Sequence, residues 1–207
     1  RLHMNQQSPQ IGAAVSAGGA GDQGIMYGYA TADTASHLPL GVDLARGLTS
    51  QLEELRESGE LPWLKSDGKS QVTIRDGQPK VIVVSTQHDA DVTLDEVRRE
   101  IEQRAVSVPL LFKEGLGVVM PPRILINPAG AWSIGGFHAD SGLTGRKLAV
   151  DGYGGILPGG GGSTHGKDNS KVDRSATHKA REVAVDLVRR GLVREALISV
   201  AYAIGID

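Results

Sequence analysis

A chain of 207 residues with 40% hydrophobic and 22% charged residues has the mixture of a core-forming protein, which excludes wholesale disorder. Its formal net charge of −2 excludes a global pull toward nucleic acid or an anionic membrane surface, so any anion must be held by a local cluster of cations. The lack of cysteine excludes disulfides and thiolate metal sites, and no apolar run reaches the ~20 residues that a membrane helix needs, so a cytoplasmic location with no membrane and no nucleic-acid partner is the expectation.

In chain order, residues 8–21 ("SPQIGAAVSAGGAG") are small and uncharged and read as a mobile loop, a candidate lid. Residues 42–57 place Leu44, Leu48, Leu52 and Leu55 on one face, and Gly59 is suited to close that helix in a left-handed conformation. Two β-branched runs in "SQVTIRDGQPKVIVVSTQ" are separated by Asp76-Gly77-Gln78-Pro79 and predict a β-hairpin, with Asp76 serving the turn. Thr93 followed by Glu96 is a capping box ahead of a second helix over residues 94–106. "RILINPAGAWSIGG" predicts two short strands around a turn at residues 127–130, and "RKLAVDGYGG" predicts another strand. A third helix over residues 173–190 carries Ala176, Ala180, Val183, Ala184, Leu187 and Val188 on one side, and "ALISVAYAIGI" predicts a final strand. These elements lack the regular spacing of a doubly wound sheet, so the fold class is α+β, with mainly antiparallel sheets and helices on one face.

The stretch "GGGGSTHGKD", residues 159–168, raises the question of a phosphate loop. Residues 161–167 satisfy G-x-x-x-x-G-K, but Asp168 stands where a magnesium-binding Ser or Thr should follow, and no strand leads directly into the loop. A surface linker would have no use for cations on both sides, yet Arg146 and Lys147 precede the run, and Lys167, Lys171, Asp173 and Arg174 follow it. That clustering fits a polyphosphate site of another kind, with cations and backbone N–H groups facing the phosphates and a carboxylate available to Mg²⁺.

Several longer motifs occur in order: "GDQGIMYGYAT", "LPWLKSDGKSQVT", "STQH", "GLTGRKLAVDGYGG" and "GKDNSKVDRSA". Together they resemble the methionine adenosyltransferase (S-adenosylmethionine synthetase) family over nearly the whole chain. The resemblance implies a reaction in which the sulfur of L-methionine attacks C5′ of ATP and expels triphosphate, which is then hydrolysed to phosphate and diphosphate. It also implies Mg²⁺ and K⁺ as cofactors, and a homodimer or homotetramer with active sites between subunits.

Carried over by position, the resemblance implies that Asp67 and Lys69 contact ATP, that Trp132 stacks on adenine where the family usually has Phe, and that Asp140 meets methionine and adenosine. Arg146, Lys147 and Lys167 are implied as phosphate-binding, catalytic cations together with Lys69, and Ser163 as a further ATP contact. Gln7, Asp22 and Lys171 are implied on the methionine side, and Asp173 as a magnesium ligand. Arg174, Lys179 and Arg181 read as solvated surface charges, Trp63 as packing, and His88 and His138 as structural groups without catalysis. The expected divisions are a gating segment with the GDQG motif at 1–32, most of one α+β domain at 33–135, a phosphate-binding segment of a central domain at 136–175, and a helix and strand of a C-terminal domain at 176–207.

Departures from the family pattern are the missing "GHPDK" motif, Ala131 where arginine is frequent, and "ILPGGGGSTHGKD" in place of "AHGGGAFSGKD". They make an internal piece or a shortened relative the expectation. The alternative is a non-catalytic ATP or polyphosphate-binding homologue, or a partner subunit of a full-length synthetase.

Overall fold

The computed structural model describes residues 2–16, 18–107 and 117–206. The chain forms two compact units, one from Arg1–His37 with Leu143–Asp207 and the other from Leu38–Gly142.

The unit Leu38–Gly142 is built on helix α2 (Leu40–Glu57) and a three-stranded sheet of β2 (Leu64–Arg75), β3 (Gln78–His88) and β4 (Arg123–Ile126). Leu44, Leu48, Leu52 and Leu55, spaced three and four apart, are all buried on the sheet, and Gly59 follows the helix with φ 76° as expected. Strands β2 and β3 pair antiparallel through Asp76 and Gly77, whose φ values of 54° and 69° define a type I′ turn. Its twist matches that of the strands, which is why Asp-Gly serves at this point.

Alternation along β3 sends Ile82, Val84, Thr86 and His88 into the core beneath α2, and leaves Val81, Val83, Ser85 and Gln87 half-buried on the opposite face. Trp63 packs against the same core. Helix α3 (Leu94–Glu100) starts at Thr93, whose Oγ1 accepts from the Glu96 N–H at 3.3 Å. Beyond Glu100 the helix widens into a π-helical segment, Ile101–Ser107, which brings Ala105 and Val106 together into the core with Ile101.

Strand β4 pairs parallel to β3, from Val81↔Arg123 to Val84↔Ile126, so this sheet is mixed. The second strand expected after the turn does not form. Asn127 leaves the strand with φ 42°, and its buried side chain takes over the next rung: Oδ1 accepts from the Thr86 N–H at 2.8 Å and Nδ2 donates to the Thr86 carbonyl at 3.0 Å. An Asn side chain supplies both a donor and an acceptor, so it satisfies Thr86 while the backbone turns away.

The other unit holds α1 (Pro9–Ser16), β1 (Gly24–Thr31), the short α4 (Leu148–Asp151), α5 (Val172–Arg189) and β5 (Glu195–Tyr202). Helix α1 corrects the expectation of a mobile loop over most of 8–21. Pro9 sits at the first helical position and alanine, which follows in the run, is the strongest helix former, so the small residues read as loop are also compatible with helix. Residue 17 of that stretch lies outside the described residues.

Strands β1 and β5 pair antiparallel from Gly24↔Tyr202 to Thr31↔Glu195. Helix α5 covers the face carrying Met26, Gly28 and Ala30 with Val172, Ala176, Ala180, Ala184 and Val188. Small residues on both sides bring the backbones so close that a Cβ on Gly28 would overlap the Ala180 peptide.

The strand expected at "RKLAVDGYGG" is instead the single turn α4, with the Asp151 N–H donating to the Lys147 carbonyl at 2.9 Å. Gly154 and Gly155 follow with φ 68° and 78°, left-handed values that no extended strand contains. Two arginines read as solvated are structural: Arg174 donates to the Thr164 carbonyl at 3.1 Å, and Arg181 donates to the carbonyls of Ser36 and His37, each at 2.8 Å, and to that of Tyr29. The planar guanidinium of Arg181 spreads its donors over β1 and the turn that follows it. Lys179 does lie on the surface, paired with Glu182 at 2.9 Å.

Candidate functional site

The expected site residues fall into two groups, one in each unit. In the unit Leu38–Gly142, the half-buried face of the β2–β3 hairpin carries the segment that follows Asn127. Asp67 Oδ2 accepts from the Gly136 N–H at 2.7 Å, and Gln87 Nε2 donates to the Ser133 carbonyl at 3.1 Å. Lys69 Nζ lies 5.7 Å from the centroid of the Trp132 ring, within cation–π range. The Trp132 indole N–H donates to the Ile134 carbonyl at 2.7 Å, a bond that a Phe at this position has no atom to make. Asp140 stands exposed after the short 3₁₀ turn Gly136–His138, with its N–H bonded to the Gly136 carbonyl at 3.1 Å; His138 is exposed in that turn. The structure thus brings Asp67, Lys69 and Trp132 together on one platform.

In the other unit the glycine run lies between α4 and α5, with no strand leading into it, which is unlike a strand-loop-helix phosphate loop. Lys167 Nζ donates to Asp173 Oδ2 at 2.6 Å, with only 14% of the Asp173 side chain exposed. Gly162 presses on the Asp173 carboxylate, leaving no room for a Cβ. Asp168 Oδ1 accepts from the Ser170 hydroxyl at 2.6 Å and the Ser170 N–H at 2.9 Å, and its Oδ2 takes the Lys171 ammonium at 3.0 Å. The Ser170 hydroxyl and the Lys171 ammonium hold the Asp168 carboxyl well below the usual carboxylate range.

Ser163 Oγ accepts from the His165 N–H at 3.1 Å, and Lys147 Nζ, exposed beside Arg146, donates to the Arg146 carbonyl at 3.3 Å. Gln7 is exposed ahead of α1, and Asp22 is exposed ahead of β1 with its Oδ1 accepting from the Gln23 N–H at 2.8 Å. Lys167 and Asp173 are joined directly, and Lys171 reaches Asp168, while Arg146 and Lys147 are exposed.

Among the described residues no three His, Cys, Asp or Glu side chains converge as a metal cage. Asp173 offers a single carboxylate, already paired with Lys167, and a Mg²⁺ held mainly by phosphate oxygens and water takes only one or two carboxylates. Two residues that sequence reasoning left out of the site are Gln87 and His88 of "STQH". Only their bonds with the segment after Asn127 reveal them, because the alternation of β3 puts these two neighbours on opposite faces. No described helix is long and apolar enough to cross a membrane.

Two family models account for most of this α+β chain: the S-adenosylmethionine synthetase central domain matches residues 17–132 and the S-adenosylmethionine synthetase C-terminal domain matches residues 134–207. The chain belongs to the S-adenosylmethionine synthetase family. It is 49% identical over 201 residues to an S-adenosylmethionine synthase of Deinococcus radiodurans, covering 93% of this chain and 48% of that protein. It is 46% identical to S-adenosylmethionine synthase 1 of Rhodospirillum rubrum, with 98% of this chain and 54% of the relative covered. Against an S-adenosylmethionine synthase of Thermus thermophilus the identity is 44%, covering 98% and 56%. The chain therefore spans about half the length of the curated relatives it matches.

Proposed function

We propose that this chain carries the nucleotide-facing and polyphosphate-facing parts of an S-adenosylmethionine synthetase, a transferase that converts ATP, L-methionine and water to S-adenosylmethionine, phosphate and diphosphate. The observation that carries the reading is the Lys167–Asp173 pair seated against Gly162 in the glycine run. A departing triphosphate needs cations and close backbone approach, and this loop supplies both.

In this reading Lys167, Arg146 and Lys147 of one unit balance triphosphate charge as the C5′–O bond breaks and Ser163 adds a hydroxyl contact, while Lys69 of the other unit is assigned as a phosphate-facing cation on its own platform. Substitution by a neutral sulfur at a primary carbon requires orientation and charge stabilisation more than proton transfer. Trp132 stacks on adenine beside Asp67. Asp140 in the unit Leu38–Gly142, and Lys171, Asp22 and Gln7 in the other unit, are each assigned to methionine.

Asp173 would hold Mg²⁺, whose chemistry is to neutralise phosphate oxygens. K⁺ belongs to the proposal without an assigned ligand in this chain. The divisions at 1–32, 33–135, 136–175 and 176–207 belong to the same proposal, as does a cytoplasmic location. A homodimer or homotetramer with shared sites is supported by the β1–β5 face away from α5, where Ile25 and Leu197 are each 48% exposed.

The test is incubation of the purified chain with ATP, L-methionine, Mg²⁺ and K⁺, with S-adenosylmethionine followed by mass-resolved chromatography. Product supports the synthetase reading for the chain itself. Absence of product with retained tripolyphosphate binding leaves a binding homologue or a partner subunit, and absence of both sinks the assignment of the loop.

A further inference from the structure

His88 is 1% exposed and both of its ring nitrogens are engaged. Nδ1 lies 2.8 Å from the Asp89 carbonyl, which can only accept, so Nδ1 carries the proton. Nε2 lies 3.1 Å from the Trp132 backbone N, which can only donate, so Nε2 is the bare acceptor. The tautomer follows from the partners alone. The His88 backbone N–H also donates to the Trp132 carbonyl at 2.9 Å, so a single residue grips both sides of the Trp132 residue.

The neighbours extend the grip: Gln87 holds the Ser133 carbonyl and Asp67 holds the Gly136 N–H. With its backbone clamped and its indole N–H tied to the Ile134 carbonyl, the Trp132 ring is left standing by the Lys69 ammonium.

We propose that His88 is a positioning residue that sets the orientation of the Trp132 ring and thereby pre-organises a platform for a nucleobase. The proposal rests on the reading of Trp132 as the aromatic partner of adenine. A flat ring held before the ligand arrives spares the ordering cost that a free loop would incur on binding. His88 touches no reacting atom and acts only through Trp132.

Trp63→Phe leaves Trp132 as the sole tryptophan, because the chain has two, so its emission reports the platform. In that background His88→Asn keeps a donor at the Nδ1 position and has no atom at Nε2. The expected result is a red shift of ligand-free emission, increased quenching by acrylamide, and ATP binding weakened about fivefold, the scale of one lost hydrogen bond. His88→Gln, whose Oε1 reaches toward the Nε2 position, is expected to restore the emission and the affinity, which a general loss of packing would not allow.

Unchanged emission and quenching in His88→Asn, or no restoration by His88→Gln, overturns the proposal. Should the variants fail to fold, ¹⁵N NMR of the unsubstituted chain decides it: a protonated Nδ1 with a bare Nε2 coupled to the Trp132 N–H is expected, and a protonated Nε2 overturns it. If ATP leaves the emission of the Trp63→Phe chain unchanged, the adenine-stacking reading fails, while the ligand-free shift still tests the positioning role.

Discussion

The ammonium of Lys167 meets the carboxylate of Asp173 at 2.6 Å across the glycine run, and Gly162 lies against that carboxylate with no space for a side chain. The ion pair and the glycine form one unit. Gly162→Ala is expected to push Asp173 off Lys167 and destabilise the chain by ~1–3 kcal/mol, the usual cost of overpacking. Thermal denaturation measures it, and a melting temperature equal to the parent's would show that the loop simply yields.

Lys167→Met leaves the mostly buried Asp173 carboxylate without its cation. Tripolyphosphate binding is expected to fall ~10–100-fold, the range for losing one charge-assisted hydrogen bond. Isothermal titration calorimetry at fixed ionic strength reads this directly, and undiminished affinity would remove Lys167 from the phosphate site.

The depressed Asp168 carboxyl makes a prediction about acid. A carboxylate stabilised in the folded chain contributes stability that is fully present above its unfolded value of ~3.9 and is lost as the pH falls through the lower folded value. Ser170 and Lys171 are the groups that depress it. Asp168→Asn should therefore melt lower than the parent at neutral pH, and the two curves should converge as the pH falls below ~4. The group is exposed, so the difference is small, and a gap that widens in acid would contradict the assignment.

Asn127→Gly keeps the left-handed conformation but removes the amide that satisfies Thr86. A loss of ~1–3 kcal/mol in urea denaturation is expected from the orphaned buried groups. Asn127→Ala should cost ~1–2 kcal/mol more, because alanine also resists the left-handed φ. Equal costs for the two variants would mean that the backbone relaxes there.

Gly28→Ala tests the approach of β1 to α5, where the added Cβ has only the Ala180 peptide to meet. No flexible side chain can yield, so the cost should reach at least ~1–3 kcal/mol. Hydrogen exchange of the β1 and β5 amides should rise together, and unchanged protection would show that helix and strand can separate without penalty.

Local pattern carried much of this protein. Leu44, Leu48, Leu52 and Leu55 marked α2, Asp76-Gly77 marked the hairpin, and the Thr93–Glu96 box marked α3, since each signal acts between residues a few positions apart. The motif strings identified the family, and the cations around residues 159–168 are the sequence basis of the proposed polyphosphate site. Other features had no local signature. Arg174 and Arg181 are chemically ordinary arginines until the carbonyls of Thr164, Tyr29, Ser36 and His37 come within reach.

Sequence by itself determined the α+β class, the main helices, the hairpin and the family, because helical and strand periodicities, turn chemistry and long motifs are written along the chain. Tertiary structure alone decided that β4 runs parallel to β3, that the chain leaves the sheet at Asn127, and that His88 grips Trp132. These outcomes depend on hydrogen-bond partners up to tens of residues away. A buried polar group must find its partner in three dimensions, and spacing along the chain does not say which partner it finds.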